Sequence, residues 1–146
     1  MEKLLDAGAD VNALELSAAG DPGTGQISTT ALCVAAFANR EAAVRLLLSR
    51  GADPNRRDNV GTTPLMGAAA VGSPSLALLL LEAKAEPNAR LPDGSTAYHF
   101  ACLQNHPDCV EALVRAGCDT SLLVAGETGR DIAEARGHAA VLQRLD

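Results

Sequence analysis

Large rings are nearly missing from this 146-residue chain: Phe37, Tyr98 and Phe100 are its only aromatic residues, and tryptophan is absent. The core must therefore be built from Leu, Ala and Val, which suits short helices at close range. Basic runs are equally scarce. No block of Lys or Arg exceeds Arg56-Arg57 and the net charge is −6. That excludes the clustered cationic face a nucleic-acid partner requires. Long apolar runs are missing too: the longest run of large apolar residues is Leu78 to Leu81, far short of a membrane span. Residues 1–15 carry Glu2, Lys3, Asp6 and Asp10, unlike a signal peptide. Gly20-Asp21-Pro22-Gly23-Thr24-Gly25 has no following lysine and so is no phosphate loop. Carboxylates are scattered, with no acid/base pair. No enzyme and no cofactor are expected. With 47% hydrophobic and 21% charged residues, the chain has the composition of one globular domain.

What is present is repetition. Gly61-Thr62-Thr63-Pro64-Leu65, followed by Ala68-Ala69, returns 33 residues on as Gly94-Ser95-Thr96-Ala97-Tyr98-His99 with Ala101-Cys102. The same step backwards reaches Thr30-Ala31-Leu32-Cys33 with Ala35-Ala36. Gly51-Ala52-Asp53-Pro54-Asn55 recurs in step as Lys84-Ala85-Glu86-Pro87-Asn88 and Gly117-Cys118-Asp119-Thr120-Ser121. A period of this length means stacked units, each too small to bury its own apolar face.

In the unit 58–90, Asp58 to Thr62 is turn-like. Thr63-Pro64 opens a helix, a capping hydroxyl followed by a proline welcome in the first turn. Leu65, Ala68 and Ala69 form its apolar stripe and Gly72 ends it. Ser73-Pro74 opens a second helix by the same logic, filled by Leu76 to Leu81. Two antiparallel helices and a projecting turn make one unit, marginal alone and held by its neighbours.

These motifs resemble the ankyrin repeat: the Thr-Pro-Leu-His-like start, the Ala-Ala pair, the Gly-His between helices, the Leu-Leu pair and the closing Gly-Ala-Asp-x-Asn. The resemblance implies an all-α repeat solenoid of stacked helix-turn-helix units with short β-turn or hairpin loops, a single domain over 1–146. Residues 1–13 are the tail of a partial unit (Leu4-Leu5, then Gly8-Ala9-Asp10-Val11-Asn12), and 25–57, 58–90 and 91–122 are full units. Residues 123–146 form a C-terminal cap, read from Gly126-Glu127-Thr128, Asp131-Ile132-Ala133 and Gly137-His138; this unit is one residue short.

Three departures stand out. Asn12 to Thr30 spans 18 residues where Asn55 to Thr63 spans 8, so a ten-residue insertion lies within 14–28, with a loop composition. The chain starts inside the second helix of its first unit. Its uncovered N-terminal edge reads as truncation from a longer protein, or else as an edge for association by a chain otherwise expected to be monomeric. Lys84 stands where Gly51 and Gly117 end their helices, a slot that normally takes a left-handed backbone.

Cys33, Cys102, Cys109 and Cys118 could pair by number, yet each occupies a slot where another unit holds a small or medium apolar residue. Packing thiols in a reducing cytoplasmic or nuclear compartment are expected. His99, Cys102, His106 and Cys109 look like four zinc ligands, but His99 occupies the motif histidine, His106 the Gly-His slot and the cysteines packing slots. No metal site and no Cys–His nucleophile are assigned.

The resemblance further implies a non-catalytic module that binds a protein partner through its concave face and turn tips. A free-standing inhibitor or adaptor of an enzyme, or a spacer within a larger protein, are the alternatives. Contacts would come from the tips, at Arg57, Asn59, Val60, Arg90 and Asp93 with Gln26 and Ile27 in the first turn. The first-helix ends would add Phe37, Val71, Leu103, Gln104 and Arg136. Phe37, Val71 and Leu103 are expected to form an apolar stripe, with Arg57 and Arg90 lined up beside it. An aromatic anchor flanked by arginines has hot-spot composition. Leu78, in a slot held elsewhere by Arg45 and Glu111, should face outward. The resemblance also implies that Asn12, Asn55 and Asn88 can be hydroxylated.

Overall fold

The computed structural model describes residues 10–16 and 28–146. Leu4-Leu5, Gly8, Gln26, Ile27 and the middle of the insertion lie outside the described residues. The two ends of the insertion pair with each other: β1 (Glu15–Leu16) and β2 (Ser28–Thr29) run antiparallel, with Glu15 opposite Thr29 and Leu16 opposite Ser28.

Eight helices follow among the described residues, two per unit: α1 (Ala31–Phe37) and α2 (Glu41–Ser49), α3 (Pro64–Val71) and α4 (Pro74–Glu82), α5 (Ala97–Leu103) and α6 (Pro107–Arg115), α7 (Gly129–Arg136) and α8 (Ala139–Leu145). Each first helix begins the same way. Thr30, Thr63, Thr96 and Thr128 are extended, and each side-chain oxygen accepts from the backbone N–H three residues on. Thr30, Thr63 and Thr96 are all buried, so the periodic threonines occupy equivalent environments. Ser73 caps α4 in the same manner, ahead of Pro74. The first helices end on left-handed residues at one register, Asn39, Gly72, Asn105 and Gly137. Three second helices end on Gly51, Lys84 and Gly117, with φ of 87°, 73° and 82°. Lys84 thus adopts the glycine conformation its slot demands.

The first helices stack α1 on α3 on α5 on α7, while α2, α4, α6 and α8 form a second, outer layer. Alanines and Gly67 face their neighbours within the inner layer: Ala35, Ala36, Ala68, Ala69 and Ala101 are buried there. Small side chains allow close approach; the leucines of the outer layer hold its helices further apart. That difference in side-chain size favours a bend with the first helices on its inside. Leu32, Leu47, Leu65, Leu76, Leu80 and Leu113 are fully buried between layers and units. Each contributes about 1.5–3 kcal/mol relative to exposure, a contribution available only while neighbours are stacked. At the tips, Asn12 Oδ1 accepts from Asp53 N (2.7 Å), Asn55 Oδ1 from Glu86 N (2.7 Å) and Asn88 Oδ1 from Asp119 N (2.6 Å).

The last unit accommodates its missing residue by a tighter turn. Earlier turns close with Asp58 N to Thr62 O (3.0 Å) and Leu91 N to Ser95 O (2.8 Å). In the last, Val124 pairs with Glu127 around Ala125 and Gly126, both at positive φ (52° and 87°). That is the two-residue hairpin geometry, which needs left-handed residues at both central positions. The outer surface of α8 is polar: Gln143 is exposed, and Arg144 turns back to pair with Asp108 (2.8 Å) and Glu111.

Candidate functional site

On the first-helix side of the stack, helix ends and turns line two grooves among the described residues. The first, about 510 Å³, is lined by Val34, Phe37 and Ala38 of the α1 segment, Thr29, and Asp58, Val60 and Thr62 of the next turn. Val34, Phe37 and Val60 remain 53%, 45% and 47% exposed. The second, about 400 Å³, lies between the third full unit and the cap. Phe100 and Leu103 of α5, the turn residue Val124, and Ile132 and Ala135 of α7 make it apolar, with Asp93, Glu127 and Arg136 on its polar margin.

The residues expected to form one stripe are distributed unevenly over these two grooves. Phe37 belongs to the first and Leu103 to the second, whereas Val71 lines neither. At 33-residue steps the residue between Phe37 and Leu103 is Ala70, while Val71 shares the register of Ala38 and Gln104. The Phe37 ring leans over Gly67, where a β-carbon would lie 2.9 Å from Cδ2. Val34, Phe100, Val124 and Ile132 were not singled out from sequence. A signal existed: Val34, Phe100 and Ile132 each stand four residues after a capping threonine, so three of four units carry an apolar residue there.

The arginines are engaged with the backbone. Arg57 Nη1 donates to Arg90 O (2.7 Å), and 33 residues on Arg90 Nη2 donates to Leu123 O (3.2 Å) while its Nε reaches Gly94 O (3.3 Å). Each guanidinium ties its own turn to the next. Asn59, Gln104, Asp93 and Arg136 are exposed. Asp93 Oδ1 accepts from Ser95 N (2.8 Å), and hydrogen bonds from the Ser95 backbone and hydroxyl hold its carboxyl below the usual range. Leu78 is 49% exposed on the outer layer.

The histidines are structural. His99 Nδ1 accepts from Thr96 N (3.1 Å) and lies 2.9 Å from the Thr96 hydroxyl, while Nε2 lies 2.9 Å from Leu122 O, which makes it the donor there. Burial lowers the His99 pKa, keeping this neutral tautomer. His106 Nε2 contacts Ala70 O (3.2 Å) and His138 Nδ1 contacts Cys102 O (2.9 Å). Burial pushes Cys102 up to about 12 and Cys109 and Cys118 up to about 11, so they are protonated thiols and poor nucleophiles. Among the described residues, no three His, Cys, Asp or Glu side chains converge as metal ligands, and no helix is long and apolar enough to cross a membrane.

The family model described as ankyrin repeats in three copies matches residues 1–91 and again 60–124. No curated protein matches the chain. With the matches covering most of the sequence, and the stacked helical pairs repeating as that family requires, the chain belongs to the ankyrin repeat family.

Proposed function

We propose that this chain is a non-catalytic recognition module that grips a protein partner with the inner surface of its curve. Ankyrin repeats are in general protein–protein interaction modules without catalysis. The observation carrying the reading is the exposure of Phe37 beside Val34 and Val60. In a chain with three aromatic residues, one is buried as core (Tyr98) and another is held half in solvent at the end of a rigid helix. Rigid, preformed apolar pockets lose little ordering entropy on binding, and buried aromatic anchors dominate interface energies.

On this reading Phe37 and Leu103 are the anchors. Val60, Val71, Asp93, Gln104 and Arg136 form the surround, and Arg57, Asn59 and Arg90 present the turns. The net charge of −6 speaks against nucleic acid as the partner. Free Cys33, Cys102, Cys109 and Cys118 favour a reducing compartment. The unit boundaries 25–57, 58–90, 91–122 and 123–146, after a partial unit over 1–13, remain part of this proposal.

The test is a pull-down from the native source with wild type and a Phe37→Ala/Leu103→Ala variant. The partner should be retained by the first and lost by the second at unchanged melting temperature. Equal retention would remove the inner surface as the binding site.

A further inference from the structure

The two grooves are separate, and their separation is informative. One lies between α1 and the turn before α3, the other between α5 and α7. Between them, α3 offers Gly67, Ala70 and the half-buried Val71 at the registers of the groove-lining residues. Inner-layer axes packed through alanine lie about 8–10 Å apart, so two steps of the stack set the grooves about 16–20 Å apart. An extended chain rises about 3.3 Å per residue and turns alternate side chains to the same face. Two anchors on one face at that distance are an even number of residues apart, and roughly six fits. A helix, rising 1.5 Å per residue, would need about eleven to thirteen residues. Its intervening apolar turns would meet Ala70, the half-buried Val71 and the Phe37 ring over Gly67.

Charge adds a second constraint. The turn side of the second groove carries the carboxylates of Asp93 and Glu127, both exposed, and the helix side carries Arg136. The neighbouring Arg90 guanidinium is directed into turn backbone, at Gly94 O and Leu123 O. The chain as a whole is acidic, a field that draws in cationic segments.

We infer that the occupant is an extended segment of a partner protein, with two large apolar side chains six residues apart and a Lys or Arg next to the one entering the second groove. This rests on the recognition reading above and narrows it to a class of peptide.

The probe is a phage-displayed random peptide library selected on the wild-type chain. It is counter-selected against a Phe37→Ser/Leu103→Ser variant whose fold is verified by circular dichroism. Winning peptides should share two large apolar residues six apart and a flanking cation. Phe37→Ser or Leu103→Ser alone should weaken a winner roughly tenfold. Asp93→Asn with Glu127→Gln should weaken it roughly two- to fivefold at low salt and less at high salt. Winners with anchors eleven to thirteen apart, with a single anchor, or with none that distinguish wild type from the variant would overturn the inference. If a native partner is nevertheless lost on Phe37→Ala/Leu103→Ala, inner-surface recognition stands and only the extended segment falls. If the native partner is unaffected, both fall.

Discussion

Phe37 of the first full unit and Gly67 of the second are fitted to each other: the aromatic ring occupies the space a side chain at position 67 would fill, with Cδ2, Cε2 and Cγ at 2.9, 3.1 and 3.2 Å from an ideal β-carbon. The Phe37 ring is 45% exposed, so it can rotate away. Alanine is favoured over glycine in a helix by about 1 kcal/mol. In wild type, Gly67→Ala should gain that amount and lose a similar amount as the ring is displaced, leaving stability nearly unchanged. In a Phe37→Ala background the same substitution should stabilise by about 1 kcal/mol. Urea denaturation of the four proteins gives the coupling directly; strictly additive effects would mean the ring does not rest on Gly67.

Lys84 holds φ at 73° in a slot filled by Gly51 and Gly117 in the neighbouring units. A residue with a β-carbon in that conformation costs on the order of 1 kcal/mol. Lys84→Gly should raise stability by about that amount, shown by a higher denaturant midpoint at unchanged slope. The reverse change supplies the control. A β-carbon at Gly117 would meet nothing within 4 Å, so Gly117→Ala should cost about 1 kcal/mol through the backbone alone.

The stack was legible because its determinants are local and repeated. Thr63-Pro64, Ser73-Pro74 and Gly72 state where helices begin and end, and the 33-residue step states how they are stacked. Lys84 could be read as left-handed because its neighbours in register are glycines. The candidate surface was legible only in part. Which side chains share a groove depends on how far one unit is displaced from the next; the apolar pattern pairs Phe37 with Val71, whereas the 33-residue step pairs it with Ala70. The roles of Arg57 and Arg90 were hidden for another reason. Their partners are carbonyl oxygens of Arg90 and Leu123, and backbone acceptors leave no trace in side-chain identity.

His99 links folding to pH. Burial lowers its pKa while the unfolded chain titrates near 6.5, so the unfolded state binds more protons as pH falls below that value. The sign follows: the contribution is complete above about pH 6.5 and is lost as acid titrates the unfolded chain down to the lower folded value. Protonating Nδ1 would also abolish its acceptance from Thr96 N. Wild type should lose stability between roughly pH 7 and 5 more steeply than His99→Gln, measured as melting temperature against pH. Parallel curves would show that His99 is not buried in the neutral form.

Thiol reactivity reports on the same packing. With Cys102 pushed up to about 12 and Cys109 and Cys118 up to about 11, the thiolate fraction is lower than in a free thiol by roughly two orders of magnitude or more. Iodoacetamide followed by mass spectrometry should modify these cysteines at least that much more slowly in the native chain than in urea. Cys118, only half-buried, should be the first of the three to react. Rapid native labelling of Cys102 would contradict the packing at the α5–α7 contact.

That contact also supplies the sharpest contrast with Gly67. A β-carbon at Gly129 would lie 2.4 Å from Tyr98 Cε1, 2.8 Å from Cδ1 and 3.0 Å from Cys102 Sγ. Here the opposing ring is 1% exposed and enclosed by core, so it has nowhere to rotate. Gly129→Ala must therefore push α7 away from α5 or force Tyr98 off its rotamer, a strain of about 1–3 kcal/mol. Gly129 is the first residue of α7, so only a small part of that strain is offset by helix propensity. The expected outcome is a clear fall in melting temperature for Gly129→Ala beside an almost silent Gly67→Ala. A Tyr98→Phe background should not rescue it, because the clash involves ring carbons and not the hydroxyl, whereas Tyr98→Leu should restore part of the loss. Equal effects at the two glycines would show that the cap is free to shift, and that the Tyr98–Gly129 contact does not fix it to the third full unit.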